Sequence, residues 1–194
     1  MLDALLQADT RLFLWLNGFH NSFFDSVMYT ISGTITWIPL YLLLIFWAFF
    51  RHKSNGFLFL LFIAITILLA DQGSVVLFKN NFQRLRPCHN PLISGMVHLV
   101  NNECGGKFGF VSSHAANTFA LAIFTLLFFK YRYYSVFIVS WAIVVSYSRI
   151  YLGVHYPLDV LAGAIFGGLT GYLIFKILSV ILNRKKKPEV FRTF

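Results

Sequence analysis

Three short clusters in this 194-residue chain combine residue types that do chemistry together. The first is Lys79, Arg86 and Pro87, in the stretch KNNFQRLRP. The second is Ser112, Ser113 and His114, in VSSH. The third is SRIYLGVHYPLD, which holds Ser148, Arg149, His155 and Asp159. Lys79, Arg86 and Arg149 supply fixed positive charge, and the planar arginine fork matches phosphate geometry. Two histidines suit a nucleophile and a general acid near neutral pH. His155 and Asp159 stand four apart, with Pro157 between them at a first helical position. At that spacing a carboxylate reaches one imidazole nitrogen, fixes the tautomer and supports charge on the ring. Asp159 is the only carboxylate in the three clusters, so no magnesium cage is predicted. The combination predicts an anion site with its own nucleophile, without metal or cofactor.

The elements that position these residues are apolar. Hydrophobic residues make up 58% of the chain, charged residues 12%, and the mean hydropathy is +0.70. A soluble domain carries about 25% charged residues, so a soluble globular protein is excluded. The net charge of +9, from 16 Lys+Arg against 7 Asp+Glu, would suit nucleic acid if it were gathered in one patch. Here the basic residues lie between apolar runs, so no nucleic-acid partner is predicted. Crossing the hydrocarbon core takes about 20 mostly apolar residues. Residues 26–50, 108–129 and 133–148 contain no Asp, Glu, Lys or Arg; 57–78 is interrupted only by Asp71, and 160–182 only by Lys176. The predicted fold is an all-α integral membrane protein with five transmembrane helices. A single membrane-embedded domain would run through the bundle at 26–182, between an interfacial amphipathic helix within 1–19 and a basic cytoplasmic tail at 183–194. The first segment sets Leu5, Leu6, Phe13 and Leu16 among Asp3, Asp9 and Arg11. It lacks the basic start of a cleaved signal peptide.

Orientation follows from the basic residues. Arg51 and Lys53, Lys130 and Arg132, and the tail from Arg184 to Lys187 fall on one side, read as the cytoplasm. The three chemical clusters fall on the other. Cys88 and Cys104 lie in the outer loop, where oxidising conditions would let them close about 15 residues, worth roughly 3 kcal/mol. Two free thiols are the alternative, and the spacing resembles no standard zinc pattern. Gly163, Gly167 and Gly171 recur every four residues, a spacing for close helix packing. Packing within the protomer is expected, with a homodimer as the alternative. Asp71, a carboxylate inside a span, is either functional or paired with a polar neighbour. Arg84 is close enough in sequence to touch a phosphate or headgroup.

The pattern K-x6-RP, then Ser-x-His, then SR-x5-H-x3-D resembles that of the type-2 phosphatidic acid phosphatase family. That superfamily also includes vanadium-dependent haloperoxidases and glucose-6-phosphatase. The resemblance covers roughly residues 65–182. The first and third motifs match fully. In the middle one, Val111 and Ser113 stand where the family's PSGH has proline and glycine. If that glycine needs a positive φ, serine costs about 1 kcal/mol. The resemblance implies a two-step phosphoryl transfer. His155 would attack phosphorus, with Asp159 orienting it. His114 would protonate the leaving group and then activate water. Lys79, Arg86, Arg149, Ser112 and Ser113 would hold the phosphate oxygens without metal. The implied protein is a lipid phosphatase of the inner membrane, its site facing the periplasm or outside. Undecaprenyl diphosphate is the first expected substrate, with phosphatidylglycerophosphate and lipid A behind it. The apolar spans argue against a haloperoxidase. An anionic-lipid transporter or binding protein without chemistry is the competing class, but it leaves the His155–Asp159 pairing unexplained.

Overall fold

The computed structural model describes residues 1–53 and 55–186; residues 187–194, the end of the predicted basic tail, lie outside the described residues. The long helices are α1 (Leu2–Asn17), α2 (Ser22–Ser32), α3 (Ile38–His52), α4 (Asn55–Gly73), α5 (Ser113–Phe129), α6 (Arg132–Tyr151) and α7 (Pro157–Lys186). The described residues contain no β-strand, only an isolated antiparallel bridge between Leu85 and Phe108. Asn55–Phe82, Arg132–Tyr151 and Pro157–Arg184 are long and apolar enough to cross a membrane. α5 is shorter, because the predicted run at 108–129 begins with extended chain before Ser113.

The run at 26–50 differs from its prediction as a single straight span. α2 and the following helix meet at 68° across Gly33 and Thr34. A charge-free sequence hides such a break, since both halves are equally apolar. The bend is made compatible with a dry environment by local bonds. Thr36 Oγ1 donates to the Thr30 carbonyl at 2.7 Å, and Trp37 Nε1 donates to that of Ile31 at 2.8 Å. Backbone groups freed inside a membrane need such partners. Pro39, at the start of α3, has no N–H to satisfy.

The core of the bundle is α5 packed along α7. On α7, Leu161, Ile165, Leu169, Leu173 and Ile177 form an exposed apolar stripe, the mark of a lipid-facing helix. The opposite face carries Gly163, Gly167 and Gly171. A Cβ at Gly163 or Gly171 would stand 2.5 Å from the carbonyl oxygen of Ser112 or Ala120, and one at Gly167 would overlap that of Ala116. The glycine stripe is therefore filled by α5 of the same chain. This close approach fixes the height of Ser112 relative to α7.

α1 lies against the end of the bundle where α6 ends and α7 begins, and its polarity is turned inward. Asp9, Phe13 and Asn17 are buried at intervals of four, while Leu5, Leu6, Leu12 and Trp15 are exposed. The expected apolar face is thus split: Phe13 packs inside, whereas Leu5 and Leu6 face outward. Asn17 ties the helix down, donating to the carbonyls of His98 (3.0 Å) and Tyr151 (2.7 Å) and accepting from the His98 N–H (2.8 Å).

Gly167→Ala should destabilise the bundle by about 1–3 kcal/mol through overpacking. Gly168→Ala, whose Cβ meets only Ile123 at 3.7 Å, should leave it unchanged. Thermal unfolding of the two variants in detergent checks this.

Candidate active site

His155 and Asp159 flank the start of α7. Both are buried, His155 in the 152–156 turn and Asp159 in the first helical turn. His155 Nδ1 stands 3.5 Å from Asp159 Oδ2, beyond an ordinary hydrogen bond, and is buried without a hydrogen-bond partner. The carboxylate is held by two donors, and the backbone of Asp159 by a third. Arg84 donates to Oδ1 at 2.7 Å, the Tyr156 N–H donates to Oδ2 at 3.1 Å, and the backbone carbonyl of Asp159 accepts from Ser112 N–H at 2.9 Å. Gly109 leaves room for this arrangement: a Cβ there would meet Asp159 Oδ2 at 3.0 Å and Arg86 Cγ at 3.2 Å.

Arg84 has a second carboxylate. It donates to Asp9 of α1 at 2.7 Å and stacks over the Tyr156 ring at 4.0 Å. Asp9 also accepts from the Leu158 N–H at 2.9 Å, so it helps to start α7. The expected contact of Arg84 with phosphate is therefore replaced by an Asp9–Arg84–Asp159 chain. Nothing in the motifs announces Asp9. In the sequence it is one of several polar residues of an amphipathic first helix, alongside Asp3 and Arg11.

The other cations are held differently. The segment Ser74–Lys79 is wound as a π-helix, which continues α4. In a regular α-helix two residues five apart point about 140° apart. The wider π turn returns Lys79 to the face of Ser74. Both reach Ser113: Lys79 Nζ donates to Ser113 Oγ at 2.7 Å, and Ser74 Oγ lies 2.6 Å from it. Arg86 donates to the carbonyls of Cys104 (3.1 Å) and Phe108 (3.4 Å). Its loop is pinned by a Cys88–Cys104 disulfide. Arg149 donates to Ser32 Oγ at the α2–α3 bend, and its Nε is buried without a protein partner. Lys79, Arg86 and Arg149 thus rest on neutral oxygens, leaving their charge available to an anion.

Those three cations act together on His155. Burial holds its pKa well below the ordinary histidine value, and the positive charges of Arg86, Arg149 and Lys79 press it the same way. Both effects favour the uncharged ring. Ser112 caps α5, its Oγ accepting from the Ala115 N–H at 3.4 Å. Ser113 has an ordinary negative φ, so replacing the family glycine brings no left-handed strain and instead gives Lys79 a partner. His114 lines a cavity of about 610 Å³ between α3, α4, α5 and α6. Its walls include Tyr41, Leu44, Phe59 and Ile63, with Asp71 and Asn117 near His114. Of the histidines outside the motifs, His98 pairs with Asp25 at 2.9 Å and stacks on His20.

The family model described as the PAP2 superfamily matches residues 55–181. The chain belongs to this superfamily. The motif resemblance therefore holds, and the chain is a multi-pass membrane enzyme of the lipid phosphatase kind. Within this PAP2 chain all eight predicted site residues, from Lys79 to Asp159, fall inside the matched region; Asp9 and Ser32, which hold Arg84 and Arg149, fall outside it. The chain is 42% identical to a lipid A 4'-phosphatase of Bacteroides thetaiotaomicron over 95% of its own length and 83% of that protein. It is 34% identical to one of Porphyromonas gingivalis, over 91% and 75%. An undecaprenyl-diphosphatase of Sulfolobus acidocaldarius matches at 31%, over 74% and 64%. Among solved structures, a PAP2-type phosphatidylglycerolphosphate phosphatase from Bacillus subtilis superposes with a TM-score of 0.68. It is 27% identical and covers 97% of this chain and 90% of that one.

Arg84→Met should strand two buried carboxylates and destabilise the PAP2 bundle by about 3–5 kcal/mol. Adding Asp9→Asn should recover part of that loss in chemical unfolding. A second expectation concerns pH. Unfolded His155 gains a proton as pH falls through about 6.5, whereas the folded ring stays neutral. The stability its burial permits above that pH is therefore lost below it. His155→Gln should show a smaller fall in Tm between pH 7.5 and 5.0 than the wild type does.

Proposed function

We propose that this chain removes a phosphate monoester from a lipid A-type glycolipid by two-step transfer through His155. The observation that carries the reading is the meeting of the buried His155–Asp159 pair, three cations without carboxylate partners, and an apolar cavity whose lining includes His114. With Nδ1 turned to Asp159, Nε2 of His155 is free to attack phosphorus in line. The P–O bond to the leaving alcohol breaks, and His114 gives that oxygen its proton. Neutral His114 then takes a proton from water, whose oxygen attacks the phosphohistidine. The P–N bond breaks and inorganic phosphate leaves. Lys79, Arg86, Arg149 and the Ser112–Ser113 segment stabilise the charge redistributed over the phosphoryl oxygens. Asp159 supports the imidazole through both steps.

The glycolipid replaces undecaprenyl diphosphate as the first choice because the relatives of higher identity and fuller coverage are lipid A 4'-phosphatases. The cavity supports a lipid in general, since an acyl or polyprenyl chain can remain in apolar surroundings while its headgroup meets the cations. The site faces the periplasm of a bacterial inner membrane in this reading. Arg51, Lys53, Lys130, Arg132 and Arg184 cluster at the other ends of the helices, as the positive-inside rule requires of the cytoplasmic side.

Phosphate release in mixed micelles containing EDTA tests the chemistry. The wild type should hydrolyse a 4'-phosphorylated lipid A. His155→Ala should lose at least about 10³-fold in kcat/KM. A 4'-³²P-labelled substrate should leave an acid-labile, base-stable label on wild-type protein and none on the variant. Hydrolysis surviving in His155→Ala would overturn the assignment.

A further inference from the structure

Asp71 and Asn117 have no part in the steps above, yet both line the cavity beside His114. Asn117 is three residues beyond His114 on α5, and Asp71 three residues before Ser74 on α4. Asn117 lies about 4.5 Å along its helix from His114, and Asp71 a similar distance from Ser74. Asn117 Nδ2 donates to Asp71 Oδ1 at 3.0 Å, and Gln72 Nε2 donates to Oδ2 at 3.2 Å. Asn117 Oδ1 is buried with no hydrogen-bond partner. Among the described residues, no basic side chain forms an ion pair with Asp71. The pair is thus an acceptor-rich spot: an unused carbonyl oxygen beside a carboxylate, in a largely apolar wall.

We infer that Asp71 and Asn117 form the subsite for the leaving alcohol, and that it selects an alcohol carrying its own hydrogen-bond donors. The inference rests on the phosphatase reading, in which the leaving oxygen meets His114. Whatever hangs from that oxygen then runs past Asn117 and Asp71 into the cavity. An acylated amino sugar presents hydroxyl and amide N–H groups there, which satisfy the buried acceptor. A polyprenyl diphosphate presents none. Its remaining phosphate would lie against the half-buried Asp71 carboxylate, and like charges repel. The same two residues therefore accept one substrate class and reject the other.

The test compares kcat/KM for a 4'-phosphorylated tetraacyl glucosamine disaccharide and for undecaprenyl diphosphate in the same mixed micelles. In Asn117→Leu the ratio of glycolipid to diphosphate should fall at least tenfold, chiefly through a higher KM for the glycolipid. In Asp71→Asn the ratio should also fall, because the diphosphate gains as repulsion is removed. Ratios within twofold of wild type in both variants, with wild-type turnover intact, would overturn the subsite alone and reduce the pair to a tie between α4 and α5. No turnover of any lipid by the wild type would instead overturn the phosphatase reading, and the subsite with it.

Discussion

Asp159 is a carboxylate in surroundings that cannot solvate its charge, and the end of the bundle where α7 begins is arranged around it. An ionised carboxylate with no exposure needs hydrogen bonds and a partner of opposite sign. Arg84 provides the partner, the Tyr156 N–H a bond, and Asp9 balances the second arm of Arg84. Each element involved comes from a different part of the chain: α1, the loop after α4, and the start of α7. Removing Arg84 leaves two carboxylates without a counter-charge, so the network ties the N-terminal helix to the dyad. Asp159 can then hold His155 in one orientation.

The same arrangement divides the charge of the site. Arg84 takes both nearby carboxylates, which leaves Lys79, Arg86 and Arg149 on hydroxyls and carbonyls. In the proposed reaction an incoming phosphate would displace neutral acceptors instead of competing with a carboxylate. These cations are not neutralised at rest, and His155 registers them as a lowered proton affinity. Preorganised positive charge in a dry pocket is worth most where negative charge builds up during transfer. Arginines that look equivalent in sequence, Arg84 and Arg86, have opposite duties: one stores negative charge and the other awaits it.

Much of this was legible in the sequence because membranes constrain composition severely. Spans at 57–78, 133–148 and 160–182 were readable since a crossing helix must be apolar over its whole length. The motif residues stood out because polar groups are scarce in such a chain. The break after Ser32 was hidden, as a charge-free run looks the same straight or bent. The π register before Lys79 was hidden too, since it depends on how α4 meets Ser113 rather than on any local residue signature. Asp9 and Arg84 are 75 positions apart, and no local pattern reports a contact at that distance. Ser113 was read as a departure from the glycine of the family; only its placement beside Lys79 and Ser74 reveals it as a partner.

The two ends of the site differ in how they are held, and this difference follows from what each must recognise. Around the His155–Asp159 pair, backbone bonds join Arg84 to Gly109, Arg86 to Lys107, and Ser112 to Asp159, while a disulfide closes the loop between them. Chemistry at phosphorus needs reacting atoms placed to within about half an ångström, so a dense polar lattice is appropriate there. The cavity is walled mainly by side chains packed through dispersion, beside a bent pair of helices whose hinge is Gly33 and Thr34. Apolar walls yield at little cost and suit chains of several lengths. Between them stands one acceptor-rich pair, Asp71 and Asn117, where a rigid demand reappears because an unmet hydrogen bond cannot be smoothed away by repacking. Selectivity among lipids is therefore best sought at that boundary, where the cost of a wrong partner is electrostatic, and not in the shape of the apolar groove.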